Sequence, residues 1–298
     1  MRVFVTGASG WIGSALVPEL LAKGHQVLGL ARSDPSAERL AAAGAEVLRG
    51  SLGDLESLRR GARDTDGTVH LAYIHDFSQF EENARIDVRA IDAMGEELAG
   101  SGRPFLIASG TLGLAPGRLA TETDMPDTTT AMGGRGIAAE HVLALADRGV
   151  RSAVVRLPPT VHGAGDHGFV AALVATARGK GVAAYIGDGA QRWPAVHCLD
   201  AAVLFRLALE QAPAASVLHA TADEGVPIRT IAEILGRHLG VPAVSIPREE
   251  AMAHFGWLAN ALAVDSPASS ALTRERFGWT PTHPGLVEDL EAGHYFRG

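Results

Sequence analysis

The sequence predicts an α/β fold: a doubly wound parallel sheet with helices on both faces, followed by a small C-terminal lobe. Three observations predict it. Short apolar runs alternate with amphipathic stretches through the first half, a glycine-rich turn joins the first run to the first helix, and the rhythm changes after Pro158. Strand, helix, strand repeated in this way means parallel pairing through right-handed crossovers. A ligand of such a sheet lies beyond the carboxyl ends of its strands.

The elements follow in order. Apolar runs at residues 3–6, 26–30, 45–48, 68–71, 104–108 and 152–157 read as buried strands. Helical periodicity fills the gaps at 11–22, 35–43, 54–61, 81–99 and 137–147. Residues 163–168 read as a loop, 169–178 as a helix and 187–194 as a second glycine-rich loop. An amphipathic helix at 228–239, a break at 240–242, a strand at 243–246 and a mostly helical tail complete the chain. The division expected is residues 1–160 for the nucleotide domain and 161–298 for a mixed α/β substrate lobe interwoven with it.

With 298 residues, of which 47% are apolar, the chain can bury a large core. A net charge of −8 argues against electrostatic partnership with nucleic acid or an anionic membrane. One cysteine, Cys198, excludes an internal disulfide and suits a reducing, cytoplasmic setting. The N-terminus enters a strand pattern at once, so no signal peptide is expected. No apolar stretch reaches the roughly 20 residues of a membrane span. The partner expected is a small-molecule substrate, the assembly a monomer or homodimer.

The turn is Thr6-Gly7-Ala8-Ser9-Gly10-Trp11-Ile12-Gly13, between the first strand and the first helix. Gly7 allows a tight turn, Gly10 lets backbone N–H groups approach a pyrophosphate, and Gly13 lets helix and strand pack closely. The N–H groups at Ser9, Trp11 and Ile12 open the helix, whose positive end favours phosphate. The other reading is a glycine-rich turn that holds no ligand.

The G-x-x-G-x-x-G spacing resembles that of the short-chain dehydrogenase/reductase superfamily, in its extended and atypical branch related to nucleotide-sugar epimerases and dehydratases. Further segments carry the resemblance: Val69-His70-Leu71-Ala72, Val155-Arg156-Leu157-Pro158, Tyr185-Ile186-Gly187-Asp188-Gly189, Val196-His197-Cys198-Leu199-Asp200-Ala201-Ala202, Ile231-Ala232-Glu233-Ile234 and Phe277-Gly278-Trp279-Thr280-Pro281. The resemblance implies a Rossmann-type domain with a small substrate lobe. It also implies that Ser51 and Leu52 lie near an adenine, that Leu71, Ala72 and Tyr73 run beside a ribose, and that Leu157 and Pro158 abut the nicotinamide.

An acidic residue at the end of the second strand would receive ribose hydroxyls and repel a 2′-phosphate. This chain has Arg32 and Ser33 there, a guanidinium and a hydroxyl that suit the 2′-phosphate of NADP. The alternative is a solvated Arg32 paired with Asp34.

In the enzymes that the chain resembles, a Tyr moves the substrate proton and a Lys four residues later lowers its pKa. Met132 takes the Tyr place here and Gly136 the Lys place. The lysines are Lys23 and Lys180, and neither lies four residues after Tyr73, Tyr185 or Tyr295. Replacements are expected at the strand ends. Ser109 and Thr111, after the fifth strand, could donate to an oxyanion or simply cap backbone. Tyr73 and His75, after the fourth, could supply a proton, with Asp76 fixing the His75 tautomer; the bland reading is a polar loop. On the substrate side the expectation is Asp76, with His162 and His167 facing the cleft and no metal bound. Arg192 could hold an anion and Trp193 could stack on a planar ligand, or Trp193 could plug the lobe interface.

Together these readings predict an NADPH-dependent oxidoreductase acting on a small carbonyl or imine. The rivals are a nucleotide-sugar epimerase or dehydratase, which needs a base to oxidise a hydroxyl, and an NADP-binding redox sensor without catalysis.

Overall fold

Val3, Phe4 and Val5 are fully enclosed because β1 (Arg2–Thr6) runs through the middle of the sheet, covered on both faces. The computed structural model describes residues 1–74, 79–129 and 134–297. After β1 come α1 (Trp11–Ala22), β2 (Gln26–Ala31), α2 (Asp34–Ala42), β3 (Glu46–Arg49), α3 (Leu55–Arg63), β4 (Gly67–His70) and α4 (Phe80–Leu98). Then follow β5 (Pro104–Gly110), α5 (Gly134–Ala144) and β6 (Arg151–Leu157). Polar caps set several helix starts: the Ser33 hydroxyl accepts from the Ser36 N–H at α2, and Asp54 accepts from the Ser57 N–H at α3.

The rest of the chain contributes β7 (Thr160–His162), α6 (Phe169–Lys180), β8 (Ala183–Ile186), β9 (Arg192–His197), α7 (Cys198–Gln211), β10 (Ser216–His219) and β11 (Asp223–Pro227). It ends with α8 (Ile228–Leu239), β12 (Ala243–Ile246), α9 (Ala251–Phe255), α10 (Ala259–Leu262), α11 (Ala271–Phe277) and α12 (Leu286–Glu291).

The main sheet has seven strands in the order β10-β6-β5-β4-β1-β2-β3, every pair parallel. This is the doubly wound, Rossmann-type arrangement that the alternating pattern predicts. One face packs on α1 and α7, through Leu16, Leu20, Leu204 and Phe205. The other packs on α3, α4 and α5, through Leu58, Ile91, Met94 and Val142. The smaller lobe joins β11-β9-β7 and β12-β8 to α6, α8 and the late helices around a separate apolar core.

The structure adds β7, β8, α7 and β11 to the elements read from the sequence, and two further features differ from the expectations. The seventh strand, β10, was not foreseen: four residues give too short a run to register, and β6 selects it by pairing. The glycine-rich loop expected at 187–194 stops early, because Arg192, Trp193 and Pro194 already belong to β9. Both α7 and β10 return from beyond Pro158 to complete the first lobe, with the Arg206 Nε of α7 donating to Glu19 of α1 at 2.6 Å.

Candidate functional site

The loops after β1 to β6 leave the sheet along one edge. Strand order reverses between β1 and β4, so their loops turn to opposite sides and leave a fork. Gly7 sits in the fork with φ 64°, and a Cβ there would lie 2.6 Å from the Ala72 backbone nitrogen. A Cβ on Gly13 would lie 2.2 Å from the Gly7 carbonyl oxygen, so α1 rests directly on the loop. Gly10 is different. It is exposed, it caps α1 in an extended conformation, and its Cβ would meet only the Gly7 carbonyl oxygen, at 3.1 Å. The fold therefore demands glycine at 7 and 13 but not at 10, where bare backbone instead leaves room for an incoming group. Among the described residues no side chain accepts from the N–H groups of Trp11 or Ile12. Uncapped N–H groups at the positive end of a 12-residue helix fit a dinucleotide pyrophosphate. Ser9, Trp11 and Ile12 are half-buried there, and the Trp11 indole donates to the Val161 carbonyl at 2.8 Å, tying α1 to the smaller lobe.

At the end of β2, Arg32 is exposed, and among the described residues it has neither a hydrogen-bond nor an ion-pair partner. Asp34, its alternative partner, is taken by Arg49, which also donates to the Ser33 carbonyl at 2.7 Å. The Ser33 hydroxyl is engaged with Ser36. Ser51 and Leu52 follow β3 and are half-buried, as are Leu71, Ala72 and Tyr73 after β4 and Leu157 at the end of β6; Pro158, next along, is buried. His75 and Asp76 lie outside the described residues.

Past the fork the geometry is made by side chains. The Ala72 N–H donates to Thr6 Oγ1 at 3.2 Å, Thr6 Oγ1 lies 2.7 Å from His70 Nδ1, and His70 Nε2 lies 2.9 Å from Asp87 Oδ1. One assignment satisfies every group: the Thr6 hydroxyl donates to Nδ1 and Nε2–H donates to the carboxylate. Asp87 is buried, and the Arg135 guanidinium lies 3.6 Å from its other oxygen. Arg135 also donates to the Ala108 carbonyl at 2.5 Å, and its Cζ stands 4.4 Å from the centre of the Tyr73 ring. Burial raises the Tyr73 phenol above its ordinary value, Arg135 opposes that shift and Asp87 reinforces it.

Sequence reasoning missed Arg135, Asp87, His70 and Thr6 as members of this cluster. Polar Thr6 and His70 ending apolar strands were a usable signal. Arg135 carries no such signal: it stands one position before Gly136, the place that the resemblance assigns to lysine, at the start of α5.

The other expected residues fall as follows. The Ser109 hydroxyl donates to the Arg135 carbonyl at 3.3 Å and anchors the first turn of α5. Thr111 is fully buried beneath the smaller lobe, with no hydrogen-bond partner for Oγ1 among the described residues. The expectation of a Thr111 hydroxyl open at the strand edge is thus corrected: Ser266 closes over it, bonding to Gly113 N and Thr111 O. His162 does not face the cleft either. It is completely buried, its Nδ1–H donating to Asp289 of α12 at 2.9 Å. His167 is exposed, its ring centre 5.8 Å from that of Trp11.

Trp193 is fully enclosed in the smaller lobe and donates to the Ala261 carbonyl at 3.2 Å; strand alternation in β9 turns it inward, so no stacking face is presented. Arg192 is held by both oxygens of Asp265, at 3.0 and 2.8 Å. This pair holds the Asp265 carboxyl below its usual range and leaves Arg192 committed rather than available to an anion. Among the described residues no group of His, Cys, Asp and Glu is placed to hold a metal ion, and no helix is long and apolar enough to cross a membrane.

A model of the NAD dependent epimerase/dehydratase family matches residues 3–218. An uncharacterized protein of Schizosaccharomyces pombe is 48% identical over 298 residues, covering 99% of this chain and 100% of its own. The 4-hydroxy-2-methyl-3-oxo-4-farnesyl-3,4-dihydroquinoline-1-oxide ketoreductase of Stigmatella aurantiaca is 28% identical, over 86% of this chain and 80% of its own. The solved structure of MoeE5 in complex with UDP-glucose and NAD shares the fold over 99% of this chain and 98% of that one, with TM-score 0.78 and 25% identity.

Proposed function

The chain belongs to the NAD-dependent epimerase/dehydratase family, and from that premise we propose that it is an NADPH-dependent reductase of small, uncharged carbonyl or imine compounds. A half-buried phenol beneath the Arg135 guanidinium carries this reading. Tyr73 follows β4 on the half of the sheet edge remote from Arg32; a phenol is protonated at neutral pH in any case, and burial shifts this one further in that direction. A protonated phenol can give a proton to a developing alkoxide but is a poor base for taking one from an alcohol. Reduction is therefore favoured over alcohol oxidation.

The Gly7–Gly13 loop would hold the pyrophosphate and Arg32 the 2′-phosphate, with Ser51 and Leu52 beside the adenine and Leu71, Ala72, Leu157 and Pro158 along the ribose and nicotinamide. When bound, the reduced dinucleotide supplies a hydride. Tyr73 supplies the proton, while Ser109 and Thr111, tied to backbone or buried, support the edge from behind. His75 and Asp76 remain further proposals on the same loop, and His167 the proposed substrate-side histidine. The Stigmatella relative is named for ketone reduction, which agrees with this direction. An epimerase or dehydratase needs a base first. A nucleotide-sugar diphosphate would also want a free cation, and Arg192 is already paired with Asp265.

The test is to titrate NADPH and NADH calorimetrically, then to follow NADPH oxidation over a panel of ketones, aldehydes and imines. The expected outcome is tighter NADPH binding and turnover with at least one class. Tighter NADH binding, or conversion of a nucleotide sugar with no net NADPH consumed, would overturn the proposal.

A further inference from the structure

Gly136, in the place that the resemblance assigns to lysine, has no room for a side chain: a Cβ there would lie 2.9 Å from Pro126 Cγ and 3.1 Å from Thr128 Cγ2. The residue before it, Arg135, sends its guanidinium over the Tyr73 ring instead. We propose that Arg135 is the positioning residue for Tyr73, fixing its ring and stabilising the phenolate that remains once the phenol has given up its proton. This rests on the reductase reading above and names the group that makes it work.

Arg135 is itself fixed at three points, two on the guanidinium and one on its backbone carbonyl. The Ala108 carbonyl accepts from it at 2.5 Å, the Ser109 hydroxyl holds the Arg135 carbonyl at 3.3 Å, and the buried Asp87 carboxylate lies 3.6 Å away. Asp87 is in turn oriented by His70, and His70 by Thr6, so the chain of contacts ends at β1 beside the glycine loop. A buried carboxylate left without a counter-charge is costly, so Asp87 keeps the cation at this spot. Asp87 from α4 and Arg135 from α5 are the charged groups that act on Tyr73 among the described residues, with opposite signs.

In the step itself the Tyr73 O–H bond breaks and the proton forms the new O–H or N–H bond of the product. The electron pair stays on the phenolate oxygen, and water returns the proton afterwards. The substrate carbon is reduced by the hydride already assigned to NADPH, so the balance needs no other reagent. A full positive charge near the ring matters most when the phenolate carries its negative charge, so its effect falls on turnover rather than on binding.

Two measurements test this. The first needs no cofactor: the ring-carbon NMR shifts of the protein's three tyrosines are titrated with alkali, with Tyr73→Phe to assign the signal. Removing an opposite charge so close should raise the Tyr73 ionisation by about one pH unit in Arg135→Gln, while Arg135→Lys should stay near the parent. The second is kinetic, with a substrate found by the panel above. Arg135→Gln should lower kcat by roughly tenfold to a hundredfold with KM little changed, and Arg135→Lys should restore most of it. In a Tyr73→Phe background the same Arg135→Gln change should cost less than about twofold, because its route of action is gone. An unmoved Tyr73 titration, or an Arg135→Gln cost that multiplies in full with Tyr73→Phe, would overturn the proposal; thermal midpoints check that each variant is folded. If the panel yields no turnover while the titration shifts as expected, the reductase reading fails and the Arg135–Tyr73 pairing stands.

Discussion

Where β1 hands over to α1, the proposed binding surface is made from backbone, three glycines and uncapped N–H groups, joined after β2 by the exposed guanidinium of Arg32, which has no partner among the described residues. Across the fork, from β4 to β6, the surface is made from side chains drawn from several elements, among them Tyr73, Asp87, Ser109 and Arg135. In the proposed function the first half is generic and would serve any substrate that needs a dinucleotide. The second would carry the particular chemistry, and it stands on a buried polar network, Thr6-His70-Asp87-Arg135, that must be satisfied throughout. Backbone sites tolerate no change at a few positions, whereas side-chain sites lose function in smaller steps.

The largest effect should separate two roles within the first half. Gly13→Val drives a side chain into the Gly7 carbonyl and should destabilise the protein by about 3 kcal/mol or more. Gly10→Val meets only one carbonyl at 3.1 Å, so the fold should survive, while dinucleotide binding should be lost because the added atoms would fill the proposed pyrophosphate path. Thermal unfolding beside calorimetric titration checks both, and retained affinity in folded Gly10→Val would reduce this loop to a mere turn.

The edge of the sheet beyond β6 should be the acid-sensitive part. His219 of β10 is fully buried, donates through Nδ1 to the Ser269 carbonyl at 2.8 Å and accepts from Arg156 at 3.3 Å, which fits a neutral ring. Burial pushes it down from 6.5 to about 4. Its folded pKa lies below the unfolded one, so its stabilisation is complete above pH 6.5 and drains away as pH falls towards 4, where the loss levels off. The linkage amounts to roughly 3 kcal/mol across that window. Urea melts from pH 7 to pH 4 should show the slope in the parent and a shallower one in His219→Gln. An equal slope in both would place the acid sensitivity elsewhere.

A smaller effect is expected at Arg32. Loss of a charge-assisted pair costs about 1.5–3 kcal/mol, so Arg32→Ala should weaken NADPH roughly tenfold to a hundredfold and leave NADH nearly unchanged. Equal dissociation constants for the two cofactors in the parent would break the proposed 2′-phosphate contact. Least of all should change in Arg192→Gln. Its partly exposed pair with Asp265 is worth up to about 1 kcal/mol, and KM for an uncharged substrate should stay at the parental value. A large rise in KM would show that Arg192 leaves Asp265 to meet the substrate.

The legible parts of this protein are those set by neighbours in sequence. The alternation that predicted six sheet strands, the glycine spacing at 7, 10 and 13, and the helices from residues 11 and 228 all depend on interactions within a few residues, and the structure has them nearly as read. Arg32 could be located because it ends a strand, although only the structure shows that Arg49 has taken Asp34 away from it.

What the tertiary structure alone decided concerns pairs far apart in sequence. Thr6 meets His70 across 64 positions and His162 meets Asp289 across 127, and no periodicity specifies either. Residue type told that Trp193, Arg192 and His162 could bind, but type is silent on direction. The register of β9 turned Trp193 into the core, Asp265 claimed Arg192, and α12 closed on His162. Sequence determines local backbone preference through short-range sterics and hydrogen bonding, whereas the partner of a polar side chain is settled only when packing brings distant segments together and penalises every buried group left unpaired.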